Sequence, residues 1–136
     1  MWHSWFVAGL MAGGGPCGVA AQVPALLGHQ GRVLVSGSPF DGTGRFKFAL
    51  VNAGATTTYW RNAPDGNGDG QPDQAVTLVV TRGLYSVALG DTSLLQMAAL
   101  APSALDAEAV FLRVWFDDGT HGFQRLDPDH RVTSVG

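Results

Sequence analysis

This sequence holds one cysteine, little charge and no apolar run of membrane-spanning length. Cys17 alone excludes an intramolecular disulfide, so stability has to come from packing, from a metal or from neighbouring polypeptide. Charged residues make up 14 % of the chain, against roughly 25 % in an ordinary globular domain. The eight Lys and Arg stand singly among eleven acids and leave a net charge of −3. No basic patch therefore points to nucleic acid or to an anionic membrane surface. The apolar stretch 5–12 falls short of the about 20 residues that cross a bilayer, so no transmembrane segment is expected. His29, His121 and His130 are too far apart in sequence for the close spacing of a zinc site. Ser36, Ser86 and Ser134 lack the G-x-S-x-G surroundings of a nucleophile elbow.

What is present is glycine and alternation. Nineteen glycines punctuate 136 residues, enough chain for one domain. Phe46, Phe48 and Leu50 alternate with Arg45, Lys47 and Ala49, the period-2 mark of a strand with one buried face. With Arg32-Val33-Leu34-Val35 before it and a Gly-, Pro- and Asp-rich reversal between, this reads as an opening β-hairpin. Residues 76–81 and 84–89, joined by Arg82-Gly83, read as a second hairpin. Leu94, Met97 and Leu100 share a helical face over 93–100 before Pro102. Val110 to Phe116, apolar almost throughout, suits a central strand covered on both sides. A turn at Asp127-Pro128-Asp129 leads to a last strand, 131–135. The expected fold is all-β: an antiparallel two-layer β-sandwich of about seven or eight short strands with at most one short helix.

Residues 1–21 read as a signal peptide. An apolar core is followed by Gly13 to Pro16 and by the small-residue cleavage site Val19-Ala20-Ala21, although no Lys or Arg precedes the core. Pro16 directly before Cys17 does not suit a lipoprotein site, so Cys17 leaves with the leader. Residues 22–136 form the domain, and strand-like sequence at Val135-Gly136 suggests the N-terminal part of a longer protein.

Several motifs then recur in a familiar order: His29-Gln30-Gly31-Arg32-Val33, Gly44-Arg45-Phe46-Lys47-Phe48-Ala49-Leu50, Gly83-Leu84-Tyr85-Ser86-Val87-Ala88-Leu89-Gly90-Asp91 and Arg131-Val132-Thr133-Ser134-Val135. They resemble a family of exported bacterial domains with a "YQGRL"-like first strand, a "GLFSVxLG" strand and a closing "RLxSVPYA" strand. The resemblance implies a place near the N-terminus of secreted or cell-surface proteins, with no catalytic residue attached. This chain departs from the pattern at His29, where Tyr is common, and in an acidic insertion after Tyr59-Trp60.

That insertion carries the sharpest chemical motif. Asp65, Asn67, Asp69, Gln71 and Asp73 follow the D-x-[DN]-x-[DN]-G opening of a calcium loop, with alternate oxygens turned inward and Gly70 at the bend. Position 12 is Val76, so a further ligand has to come from elsewhere, with Asp117 and Asp118 the candidates. The competing reading is a loop whose Asp and Asn side chains cap their own backbone. Asp117-Asp118 with Asp127 and Asp129 could pair as acid and base, but they sit in turn sequence where Asp is common. Tyr59, Trp60 and Trp115 would stack sugars if exposed and fill the core if buried. The sequence therefore predicts a non-enzymatic, exported structural or interaction module of a cell-surface or extracellular assembly. Its partners are other parts of a longer polypeptide or that assembly. The alternative is a calcium-assisted carbohydrate-binding module, with Ca2+ on the loop and a glycan beside Tyr59-Trp60.

Overall fold

The computed structural model describes residues 2–3, 6–12 and 25–132. The strands are β1 (Trp2–His3), β2 (Phe6–Ala12), β3 (Ala25–Arg32), β4 (Leu34–Val35), β5 (Ser38–Pro39), β6 (Gly42–Val51), β7 (Thr58–Arg61), β8 (Val76–Val80), β9 (Leu84–Leu89), β10 (Phe111–Asp117) and β11 (Gln124–Arg131). Among the described residues there is no α-helix, and one 3-10 turn covers Pro102–Leu105. The larger sheet runs β5-β4-β1-β11-β10-β6-β7, with β8 also on β6, and the smaller runs β2-β3-β9. Among the described residues every pairing is antiparallel except the short β1–β11 contact.

Period-2 patterning explains the core. Phe46, Phe48 and Leu50 of β6, with Leu112, Val114 and Phe116 of β10, turn inward and are fully buried. They meet Leu27 and His29 of β3 and Tyr85, Val87 and Leu89 of β9. The Tyr85 ring lies 4.4 Å from that of Phe46, and His29 lies edge-on to Phe48 at 6.0 Å. The all-β antiparallel class expected from the sequence is the one the chain adopts, with two sheets closing on one core. The stretch 110–116 is covered on both sides: outside the sheet, Trp115 packs with Ala49 and Val51 under Phe111 and Phe123.

Four local expectations are corrected. The opening hairpin does not form between 32–35 and 45–50. Instead β4 turns at Ser36-Gly37 onto β5, while β6 pairs with β10, β7 and β8. The second hairpin exists only at its tip, where Thr81 and Leu84 exchange two backbone hydrogen bonds across Arg82 (φ 53°) and Gly83 (φ 81°). Beyond that tip β8 joins β6 and β9 joins β3, so one turn sends its two arms into different sheets. Residues 93–100 are turns rather than a helix, because Gln96 holds φ 66° and the nearby backbone groups bond sideways to Asn62 and Trp60. Asp127-Pro128-Asp129 is not a turn between strands but part of β11, which carries extra residues between the His130 and Leu126 partners of Leu112 and Val114. Pro128 is tolerated at this bulge, where the ladder is already interrupted. Residues 133–136, most of the expected closing strand, and Cys17 lie outside the described residues.

One buried side chain settles how the larger sheet is finished. β7 and β8 lie end to end along the same edge of β6, so the edge would be unpaired at their junction. Asn62 fills that gap. Its Oδ1 accepts the Phe48 N–H at 2.8 Å and its own N–H donates to the Phe48 carbonyl at 3.1 Å. Its Nδ2 donates to the carbonyls of Gln74 at 3.0 Å and Gln96 at 3.1 Å, and its carbonyl accepts the Ala98 N–H. Truncation would orphan an amide and two carbonyls at a site only 1 % exposed. Each such group costs about 1–3 kcal/mol, so Asn62→Ala is expected to lower unfolding free energy by several kcal/mol in urea titration. Asn62→Asp, which keeps the acceptor but loses both donors, is expected to recover only part of that loss.

Candidate functional site

The acidic loop lies in the excursion between β7 and β8 and is closed by its own side chains. Asp65 accepts N–H groups from Gly68 (2.9 Å), Asp69 (3.2 Å) and Gly70 (2.8 Å). Asn67 Oδ1 accepts from Asp69 and Asp69 Oδ1 from Gln71, at 3.1 and 2.9 Å. Asp73 Oδ2 reaches back to the Gly66 N–H at 2.7 Å. For Asp65, desolvation pulls the pKa up, but the N–H groups of Gly70, Gly68 and Asp69 together pull it below the usual carboxylate range. The five predicted residues thus share one loop, and the carboxylates there face backbone donors. Among the described residues no three His, Cys, Asp or Glu side chains gather as a metal-holding group.

The two proposed extra donors are engaged in their own turn. Asp117 accepts the Gly119 N–H at 2.8 Å and stands 3.9 Å from the Arg45 guanidinium. Asp118 accepts N–H groups from Thr120 and His121 and meets the His121 ring at 2.8 Å. Desolvation raises the Asp118 pKa, and these donors outweigh it. Asp129 is gripped in a fork by Arg113, at 2.7 to 3.1 Å, and Asp127 by Arg125. The four carboxylates considered for acid–base work are thus each tied to separate partners.

The aromatic candidates divide between two cores. Trp60, 8 % exposed, lies in the main core with its indole N–H donated to the Ala99 carbonyl at 3.0 Å. Trp115, 5 % exposed, lies on the opposite face of the sheet under Phe123, and Tyr59 packs half-buried against the main core. The three do not form a platform. A separate cleft of about 410 Å³ opens where β8 and β9 diverge, lined by residues that include Gln30, Gly31, Val79, Leu84 and Tyr85. Gly31 is required there, because a Cβ would stand 2.5 Å from the Tyr85 hydroxyl.

His29 is a core residue, 1 % exposed. Its Nε2 shares a 2.9 Å hydrogen bond with the Tyr85 hydroxyl inside the core. Burial first, and then the charge of His130 brought near by β11, lowers its pKa from 6.5 to about 3. Sequence separation had kept these two histidines apart. Asn62 and the cations of the outer sheet face were also missed: Asn before Ala63-Pro64 reads as turn chemistry, and the cations are scattered along the chain until the strands are paired.

Fold and site together define a small antiparallel β domain whose polar groups are largely turned to holding its own loops. The chain belongs to the family described as a domain of unknown function (DUF8740), whose model matches residues 28–129. No curated protein and no solved structure matches it.

The histidine gives a pH prediction. The unfolded chain takes up a proton near pH 6.5 that the folded chain refuses down to about pH 3, so stability is full above 6.5 and falls as pH drops. The slope is about 1.4 kcal/mol per pH unit. Asp65, Asp91 and Asp118, with lowered pKa values, add their losses mainly at lower pH, as the unfolded carboxylates protonate around 3.8. Urea titrations between pH 6.5 and about 4.5 are expected to show this slope in the wild type and a flat profile in His29→Gln, which keeps a partner for Tyr85.

Proposed function

We propose that this chain is an exported, non-enzymatic structural or interaction module of a cell-surface or extracellular assembly. The observation that carries the reading is the fate of the aromatic residues. Trp60 and Trp115, the side chains best suited to stacking a sugar, are used in packing on opposite faces of one sheet. Export is supported by the leader-like sequence of residues 1–21 and by the resemblance to exported bacterial domains. Cleavage before Gln22 would also take β2 away from β3 and leave β3 with β9 as its neighbour. Terminal sequencing of the protein recovered from outside the cells is expected to give Gln22 as the first residue; protein retained inside with Met1 in place would overturn the reading.

A calcium-assisted carbohydrate-binding module is the second reading. One feature favours it: Asp65 already organises the backbone of the fourth to sixth loop residues, and Gly70, at the sixth, holds φ 86°. Thermal unfolding separates the two, because a ligand that binds only the folded state raises the melting temperature. The first reading expects the same curve in EDTA and in millimolar calcium. A calcium-dependent rise that Asp69→Ala abolishes would make the loop a metal site and favour the second.

A further inference from the structure

Strand pairing sorts the charges of this chain, although they are scattered in sequence. Arg61 and Arg113 flank Ala49 across β7, β6 and β10, and Lys47 and Arg125 flank Trp115 across β6, β10 and β11. Arg45 lies opposite Asp117, and Arg131 opposite Phe111. Directly opposed residues share a side of the sheet, so six of the eight Lys and Arg stand on its outer face. Arg45 and Lys47 lie over the Phe123 ring, at 5.3 and 4.1 Å. Three carboxylates answer them, Asp117 to Arg45, Asp129 to Arg113 and Asp127 to Arg125. Among the described residues that leaves Lys47, Arg61 and Arg131 with no carboxylate partner, on a protein of net −3.

Most of the remaining acids fall in two segments that border this face at β7 and Lys47. Segments 62–75 and 90–110 contain Asp65, Asp69, Asp73, Asp91, Asp106 and Glu108 and no Lys or Arg. Asn62 binds the two segments to each other through Gln96 and Ala98. Asp69, Asp73, Asp106 and Glu108 are exposed. Among the described residues none of these six acids pairs with a cation of the sheet face, whose one link to the loop is from Lys47 to the neutral amide of Gln71.

We propose that the outer face of the larger sheet docks the acidic segments 62–75 and 90–110 of a second copy of this chain, so that copies associate face to loop. The inference rests on the assembly-module reading above and names its partner. Charge complementarity selects the occupant. A uniformly acidic polymer would meet three surplus cations while being repelled by the six acids, whereas another copy presents both signs to both surfaces. The two surfaces are different patches, so the contact is heterologous and, without ring closure, extends into a filament.

Sedimentation velocity of the full chain tests this. At about 0.01 M ionic strength, where screening reaches about 30 Å, the sedimentation coefficient is expected to climb with concentration past the dimer value. At about 1 M, with screening near 3 Å, only monomer is expected. The face variant Lys47→Glu with Arg61→Glu and the acid variant Asp106→Lys with Glu108→Lys are each expected to be monomeric alone and to associate when mixed. The acid variant changes only exposed residues, so loss of folding in the face variant would not spoil the test. A wild type monomeric at low salt overturns the proposal, as does a dimer that survives 1 M salt. So does a monomer that instead binds polyglutamate or DNA. A monomer recovered from the cell exterior would sink the stacking while leaving the export reading intact; a stacking protein confined to the cytoplasm would do the reverse.

Discussion

The larger sheet depends on a side-chain amide standing in for a missing piece of strand. Along one edge β6 is served first by β8 and then by β7, and between them Asn62 takes up the Phe48 peptide. A buried peptide group without a partner is among the costlier defects a small domain can carry. The same side chain reaches Gln74 and Gln96, so closing the sheet edge also fixes where the long segments 62–75 and 90–110 run. Those segments have almost no regular structure of their own. Their order comes from being bonded to a residue that the core cannot release.

The inner and outer sides of β6 then do opposite work. Phe46, Phe48 and Leu50 form the middle of the core, while Arg45, Lys47 and Ala49 belong to a surface where a tryptophan is roofed by Phe123 and ringed by cations. A sheet face that is half apolar and charge-rich differs from the neutral outer side of β9, which presents Leu84, Ser86 and Ala88.

What was legible in the sequence was what depends on short range. Alternation placed β6, and the apolar run placed β10 as a central strand, because side-chain period is a property of the strand itself. The Arg82-Gly83 turn was legible for the same reason, since its backbone angles are local. Which strands pair was not. β8 and β9 share a turn yet enter different sheets, a choice made by Val76 and Val80 entering the core beside β6 while Tyr85, Val87 and Leu89 line up with β3. The helix expected at 93–100 failed because its spacing was right but its backbone groups found partners in Asn62 and Trp60. The calcium-like spacing was legible as a loop, and its carboxylates turned out to face the amides nearest to them. The cationic face was invisible because its strands come from two distant parts of the chain, β6 with β7 and β10 with β11, which only the β6–β10 pairing brings together.

The end-to-end placement of β7 and β8 also bears on how this domain can change. A loop joining neighbouring strands of a hairpin has its length tied to register, and one added residue turns a strand over. The excursion 62–75 is different, because both its strands take their register from β6 and its two ends are joined through Asn62 and Gln74. Residues inserted or deleted near Gly68 lengthen or shorten an exposed tip without moving either strand. The fold therefore carries a ready insertion point, where a grafted segment can be displayed at the cost of loop entropy and of the exposed hydrogen bonds that Asp65 and Asn67 make to the tip.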